Sequence, residues 1–196
     1  MTETTVPARA GDLLVATPAL LDPNFERTVV LLLDVDDDGA LGVVLNRPSE
    51  VTVAEILPDW RDAADDPGVL FSGGPVGPDA ALAVGLTSVV GSVADPAGDD
   101  PVGFRRLWDG VGMVDLDSPT DLVVPALRHL RIFAGYAGWG RAQLATEIAT
   151  GSWYVVPSTA EDLSTRDPQQ LWTEVLRRQP GELAWVSTRP VDPGLN

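Results

Sequence analysis

The sequence predicts a single-domain α+β fold on a mixed, mostly antiparallel sheet with flanking helices. Short apolar runs separated by tight-turn signals read as hairpin-type strands. Helix signals are interspersed among them, a pattern that points to α+β. A chain of 196 residues with 44% hydrophobic and 21% charged content suits one globular domain.

Residues 1–10 read as a polar, disordered N-terminus and 11–190 as the domain. "DLLVAT" (12–17) is a buried strand, and Asp22-Pro23-Asn24 places a turn over 20–27. "TVVLLLDV" (28–35) is a continuous apolar run with β-branched residues, the pattern of a strand covered on both faces. "ALGVVLN" (40–46) follows as its hairpin partner across "DDDG". Thr52 and Glu55 form a capping box, Val51 and Ile56 take staple positions, and Pro58 closes that short helix. Strands are expected at 68–74 and 80–86, around a Gly-Pro turn.

Residues 91–103, "GSVADPAGDDPVG", read as a mobile acidic loop within the domain. A strand at 110–116 precedes a helix from Ser118 and Pro119 to Leu127, shortened or kinked by Pro125. "LRIFAG" (130–135) alternates as a half-buried strand, with Leu130, Ile132 and Ala134 on one face. "GYAGWG" (135–140) reads as a glycine-rich turn into a helix over 141–150, capped by Gly151. A strand at 153–157 and a helix started by Asp167 and Pro168 complete the pattern. Leu171, Trp172, Val175 and Leu176 form that helix's apolar stripe, with Arg177 and Arg178 at its negative end.

Composition narrows the chemistry. The chain has no cysteine, one histidine (His129) and no lysine, so all thirteen cationic side chains are arginine. Disulfides, thiolate catalysis, Schiff-base chemistry and the P-loop lysine are thereby excluded. A formal charge of −16 argues against direct nucleic-acid binding. No apolar run approaches the ~20 residues needed to span a bilayer, and the N-terminus lacks a secretory pattern. The expectation is a cytoplasmic protein with no membrane association.

"DVDDDG" (34–39) matches the opening of a calcium loop, but Leu45 stands where the bidentate Glu belongs, so it reads as an acidic hairpin tip. His129 has no second histidine or Gly-x-Ser-x-Gly elbow to work with and reads as structural. "FSGGPVGP" (71–78) lacks a nucleotide fingerprint and reads as a tight turn. The glycine-aromatic stretch remains. A strand–Gly-loop–helix junction leaves free N–H groups for an anion, with Arg141 adding charge; alternatively Tyr136 and Trp139 plug a corner of the core.

"GDLLVATPALLDPNFERTVVLLL", "GALGVVLNRP", "FSGGPV" and "GYAGWGRAQLATEIATGSWYVVP" together resemble, in order, the signature blocks of the YqgE/AlgH family. The resemblance covers nearly the whole chain. It implies a bifurcated sheet curled into a barrel-like shape, in a family with little assigned chemistry and one branch named as a regulator of alginate synthesis genes. The acid-histidine pair many members carry is Asp34-Val35 here, and their Gly-Gln-Leu-Glu is Ala142-Gln143-Leu144-Ala145. Any acid/base or metal role at those positions is lost.

The reading that results is a non-catalytic regulatory module for an unidentified protein or a small anionic ligand, with no cofactor, metal or catalytic residue assigned. Three segments are expected to converge on its site. Asn46 would hydrogen-bond, and Arg47 and Arg141 would supply charge. Gly73, Gly74, Pro75 and Gly135 would shape the loops, with Tyr136 and Trp139 as the wall. The alternative is a hydrolase of a phosphorylated or nucleotide-like substrate, using carboxylates and arginine, with Glu147 and Asp22 as first candidates.

Overall fold

The computed structural model describes residues 7–87, 100–140 and 142–188. These residues include ten strands: β1 (Asp12–Ala16), β2 (Val29–Val35), β3 (Gly39–Val44), β4 (Pro48–Thr52), β5 (Val69–Ser72), β6 (Val76–Thr87), β7 (Phe104–Trp108), β8 (Val111–Val114), β9 (Leu127–Gly140) and β10 (Trp153–Pro157). Six short helices accompany them: α1 (Val53–Ile56), α2 (Thr120–Val123), α3 (Gln143–Ala149), α4 (Ala160–Leu163), α5 (Leu171–Arg177) and α6 (Glu182–Val186). The sheet runs β10-β1-β2-β3-β9-β6-β8-β7, with β5 set beside β9 and β4 beside β5. Among the described strands only the β5–β9 pair is parallel.

Both faces of this sheet are covered, which explains the unbroken apolar run of β2. Val29, Leu31 and Leu33 enter a core that also takes Val84, Leu86 and Val111 from the far end of the sheet. One cluster can gather residues from both ends only because the sheet curls into a half-barrel around it. Helix α5 fills that inner space with Leu171, Trp172, Val175 and Leu176, and the Trp172 indole donates to the Ala16 carbonyl at 2.9 Å. The intervening Val30 and Leu32 face outward, under α3. A third cluster, around Trp60, Leu130 and Ile132, covers the outer face of the other half.

Strand β9 joins the halves. Its first part pairs with β6 from Leu127 to Ala134, and its last part pairs with β3 from Ala137 to Gly140. Between them Phe133 and Ala134 pair with β5. The sheet therefore forks at Gly135, and the "GYAGWG" expected as a turn is the continuation of a strand. Gly135 sits at φ +70°, a conformation that favours glycine.

Other expectations shift by a few residues. The capping box stands as read, with Glu55 accepting from the Thr52 N–H at 2.8 Å, while Val51 and Ile56 are exposed. The helix expected over 118–127 is only Thr120–Val123, followed by a 3-10 turn at Val124–Ala126, since Pro125 removes an N–H. Helix α5 starts at Leu171 rather than Pro168, because 168–170 form a preceding turn. Most of the acidic stretch 91–103, residues 1–6 and Arg141 lie outside the described residues.

Candidate functional site

The two outer strands of the curled sheet approach each other and leave a cavity of about 400 Å³ at the seam. Gly11, ahead of β1, lies against the Trp108 indole of β7; a Cβ there would be 3.2 Å from the ring. Leu31, Leu45, Val111 and Leu163 form an apolar floor, and Asp12, Asp109, Ser158 and Thr159 line the polar part. Trp108 and Asp109 are placed by a two-residue hairpin between β7 and β8. Asp109 and Gly110 both have positive φ, +36° and +83°, as a type I′ turn requires. Asp-Gly ahead of the apolar run at 111–114 was the available signal for this wall.

The opposite wall is built by α4. Thr159 and Asp162 form a second capping box, with Asp162 accepting from the Thr159 N–H at 2.7 Å. The same buried carboxylate receives both terminal nitrogens of Arg178, at 2.5 and 2.6 Å. This bidentate pair fastens the end of α5 to the cavity wall and gives the Asp162 carboxylate its counter-ion. The T-x-x-D spacing of residues 159–162 is the local signal of this cap.

The segments expected to form a site do come together, at the fork, and they meet through their backbones. Gly73 donates to the Ala134 carbonyl, and its own carbonyl accepts from the Val44 N–H, both at 2.9 Å. Ser72 donates to the Arg47 carbonyl at 2.8 Å. A Cβ on Gly73 would overlap the Gly135 carbonyl oxygen, one on Gly74 would overlap the Tyr136 carbonyl, and one on Gly135 would meet the Gly74 and Val76 carbonyls at 2.8 Å. Asn46 bridges strand β2 to its preceding turn, accepting from the Val29 N–H and donating to the Arg27 carbonyl. Arg47 donates to the Glu26 carbonyl, and Pro75, exposed, leads into β6.

Tyr136 and Trp139 then part company. Tyr136 packs on the inner core, whereas Trp139 is buried in the outer cluster with Trp153 and Phe25. The Trp139 and Trp153 indoles both donate to one oxygen of Glu147, at 2.9 and 2.8 Å, while Gln143 donates to the other at 2.9 Å. Asp22 accepts from the Asn24 N–H within its turn.

A polar group unforeseen in the sequence lies on the inner face of β9. His129 Nδ1 is 3.1 Å from the Asp65 carboxylate, and burial pushes the Asp65 pKa up despite His129 and Arg131 nearby. Two residues on, Arg131 is 2% exposed, with its guanidinium stacked 4.3 Å from the Phe71 ring centroid. Burial lowers its pKa to about 10. The only hint in the sequence was an arginine inside an otherwise apolar strand pattern.

At the acidic hairpin tip, Asp36 accepts from the N–H groups of Asp38 and Gly39, and so serves the turn. Among the described residues, no group of three or more acidic or histidine side chains could hold a metal ion, and no helix is long and apolar enough to cross a membrane.

These features define a single-domain α+β protein whose curled half-barrel carries a seam cavity. A profile described as AlgH-like matches residues 13–184, and the chain belongs to that family. It is 56% identical over 193 residues to the UPF0301 protein SCO2948 of Streptomyces coelicolor, covering 98% of each chain. With the UPF0301 protein of Thermobifida fusca it shares 52% identity, over 95% of this chain and 94% of the other. The crystal structure of DIP2367 from Corynebacterium diphtheriae superposes with a TM-score of 0.85 at 32% identity, covering 96% and 95% of the two chains. The AlgH protein of Pseudomonas aeruginosa shares the fold, with a TM-score of 0.67 at 24% identity over 98% and 100%.

Proposed function

We propose that this protein is a non-catalytic, cytoplasmic ligand-binding module that acts in regulation, and that its ligand occupies the seam cavity. One observation carries the reading: a cavity of about 400 Å³ with an apolar floor, an indole wall and a polar rim, where two sheet edges meet. That volume lies within the range of small-molecule sites, and barrel mouths are among their usual places. The rim offers acceptors, since Asp12 and Asp109 line it and, among the described residues, no cationic side chain does. It suits a small molecule with an apolar or aromatic body and a hydrogen-bond-donating head. Residues 46–47, 73–75 and 135–139 serve as the rigid fork that fixes the curl of the sheet and hence the width of the seam.

Native mass spectrometry of the gently purified chain tests this reading. A retained small molecule, lost in Trp108→Ala and weakened in Asp12→Asn, is the expected result. A ligand retained equally by both variants places it elsewhere and contradicts the proposal.

A further inference from the structure

Arg131 poses a separate question, independent of the seam cavity. Its Nη2 donates to the Thr165 carbonyl at 2.7 Å and lies 3.5 Å from the Asp66 carbonyl. Its Nε and Nη1 are fully buried and have no partner. Among the described residues no carboxylate forms an ion pair with it, because Asp65 is turned to His129. A buried guanidinium with unmet donors and no contacting counter-ion is among the costliest arrangements in a protein interior. Phe71 and Thr165 nevertheless hold it in one orientation, with the unused N–H groups fixed in direction.

We infer that Arg131 is the anchor of an internal site for a small oxyanion, a carboxylate or phosphate group, which supplies the missing acceptors and the missing charge. The guanidinium plane matches such a group in geometry, and burial strengthens each bond by excluding water. The backbone carbonyls of Thr165 and Asp66 satisfy Nη2 without neutralising the charge, so the demand for an anion persists. The segments carrying Thr165 and Asp66 hold the arginine through their backbone carbonyls on Nη2, which leaves the other guanidinium edge for the anion. The protein's −16 charge opposes large polyanions at long range, so a small, weakly charged ligand is selected.

The test is thermal unfolding of the full chain at fixed ionic strength, with chloride replaced in steps by acetate or by phosphate. A saturable rise in melting temperature with either oxyanion, absent with chloride, is expected; the arm that responds tells carboxylate from phosphate. Arg131→Met should abolish the rise. Should that variant fail to fold, Arg131→Lys keeps the charge without the planar fork, and its affinity should fall at least about tenfold. An identical response to all three anions in the wild type, or a response that survives both substitutions, overturns the assignment. So does loss of the response in Asp65→Asn alone, which would make the carboxylate, rather than Arg131, the element the anion senses.

Discussion

At the scale of single residues, Glu147 shows how a candidate catalytic group can be fully employed in structure. One carboxylate oxygen takes two indole N–H groups and the other takes an amide. Removing it leaves two buried donors unsatisfied, so Glu147→Ala should cost about 2–4 kcal/mol in urea unfolding, and Glu147→Gln about half as much. An unchanged midpoint in both would show that the indoles find other acceptors. Asp65 gives a pH signature. Its folded pKa lies above the unfolded value through burial, so the native state holds its proton longer than the unfolded chain does. Its contribution is therefore most favourable below about pH 4 and is lost as pH rises through the elevated folded pKa. The stability difference between wild type and Asp65→Asn, followed by unfolding midpoints against pH, should fall across that window; a flat difference contradicts it.

At the scale of elements, the glycines of the fork separate conformational need from mere tolerance. Gly73→Ala places a methyl into the Gly135 carbonyl and within 2.9 Å of Phe133 Cβ, where backbone must move. Gly151, at φ +80° after α3, has nothing within 4 Å of the corresponding position. The first substitution should cost more than about 3 kcal/mol and the second about 1 kcal/mol, as read from thermal unfolding. Equal losses would mean that the fork is not closely packed. The same elements show what local sequence can carry. The Thr52–Glu55 cap, the two-faced β2 and the stripe of α5 were legible because each is fixed by neighbours in the chain. Strands β4 and β7 were missed for different reasons. β4 opens on a proline, and β7 places two arginines in a row at a sheet edge, so neither shows the expected alternation. The stretch "GYAGWG" misled because glycine signals both a turn and a close approach; only pairing with distant β3 and β5 distinguishes them.

At the scale of the whole molecule, the sheet's fork and the seam are opposite ends of one device. At the fork Gly73, Gly74 and Gly135 pack directly against neighbouring backbone, and at the seam Gly11, at the head of β1, lies against Trp108 of β7. The seam residues come from parts of the chain too far apart for spacing to join them, and the Asp109-Gly110 turn falls where a strand from Gly110 is expected, so the cavity was not legible. The six tryptophans offer a direct reporter of where a ligand sits. Indole N–H resonances of the labelled chain should be followed by nuclear magnetic resonance while the molecule recovered from the purified protein is titrated in. The account predicts a saturable shift of the Trp108 indole, with the Trp139 and Trp153 indoles, held by Glu147, unmoved. A shift confined to Trp139 and Trp153, with Trp108 silent, would contradict it.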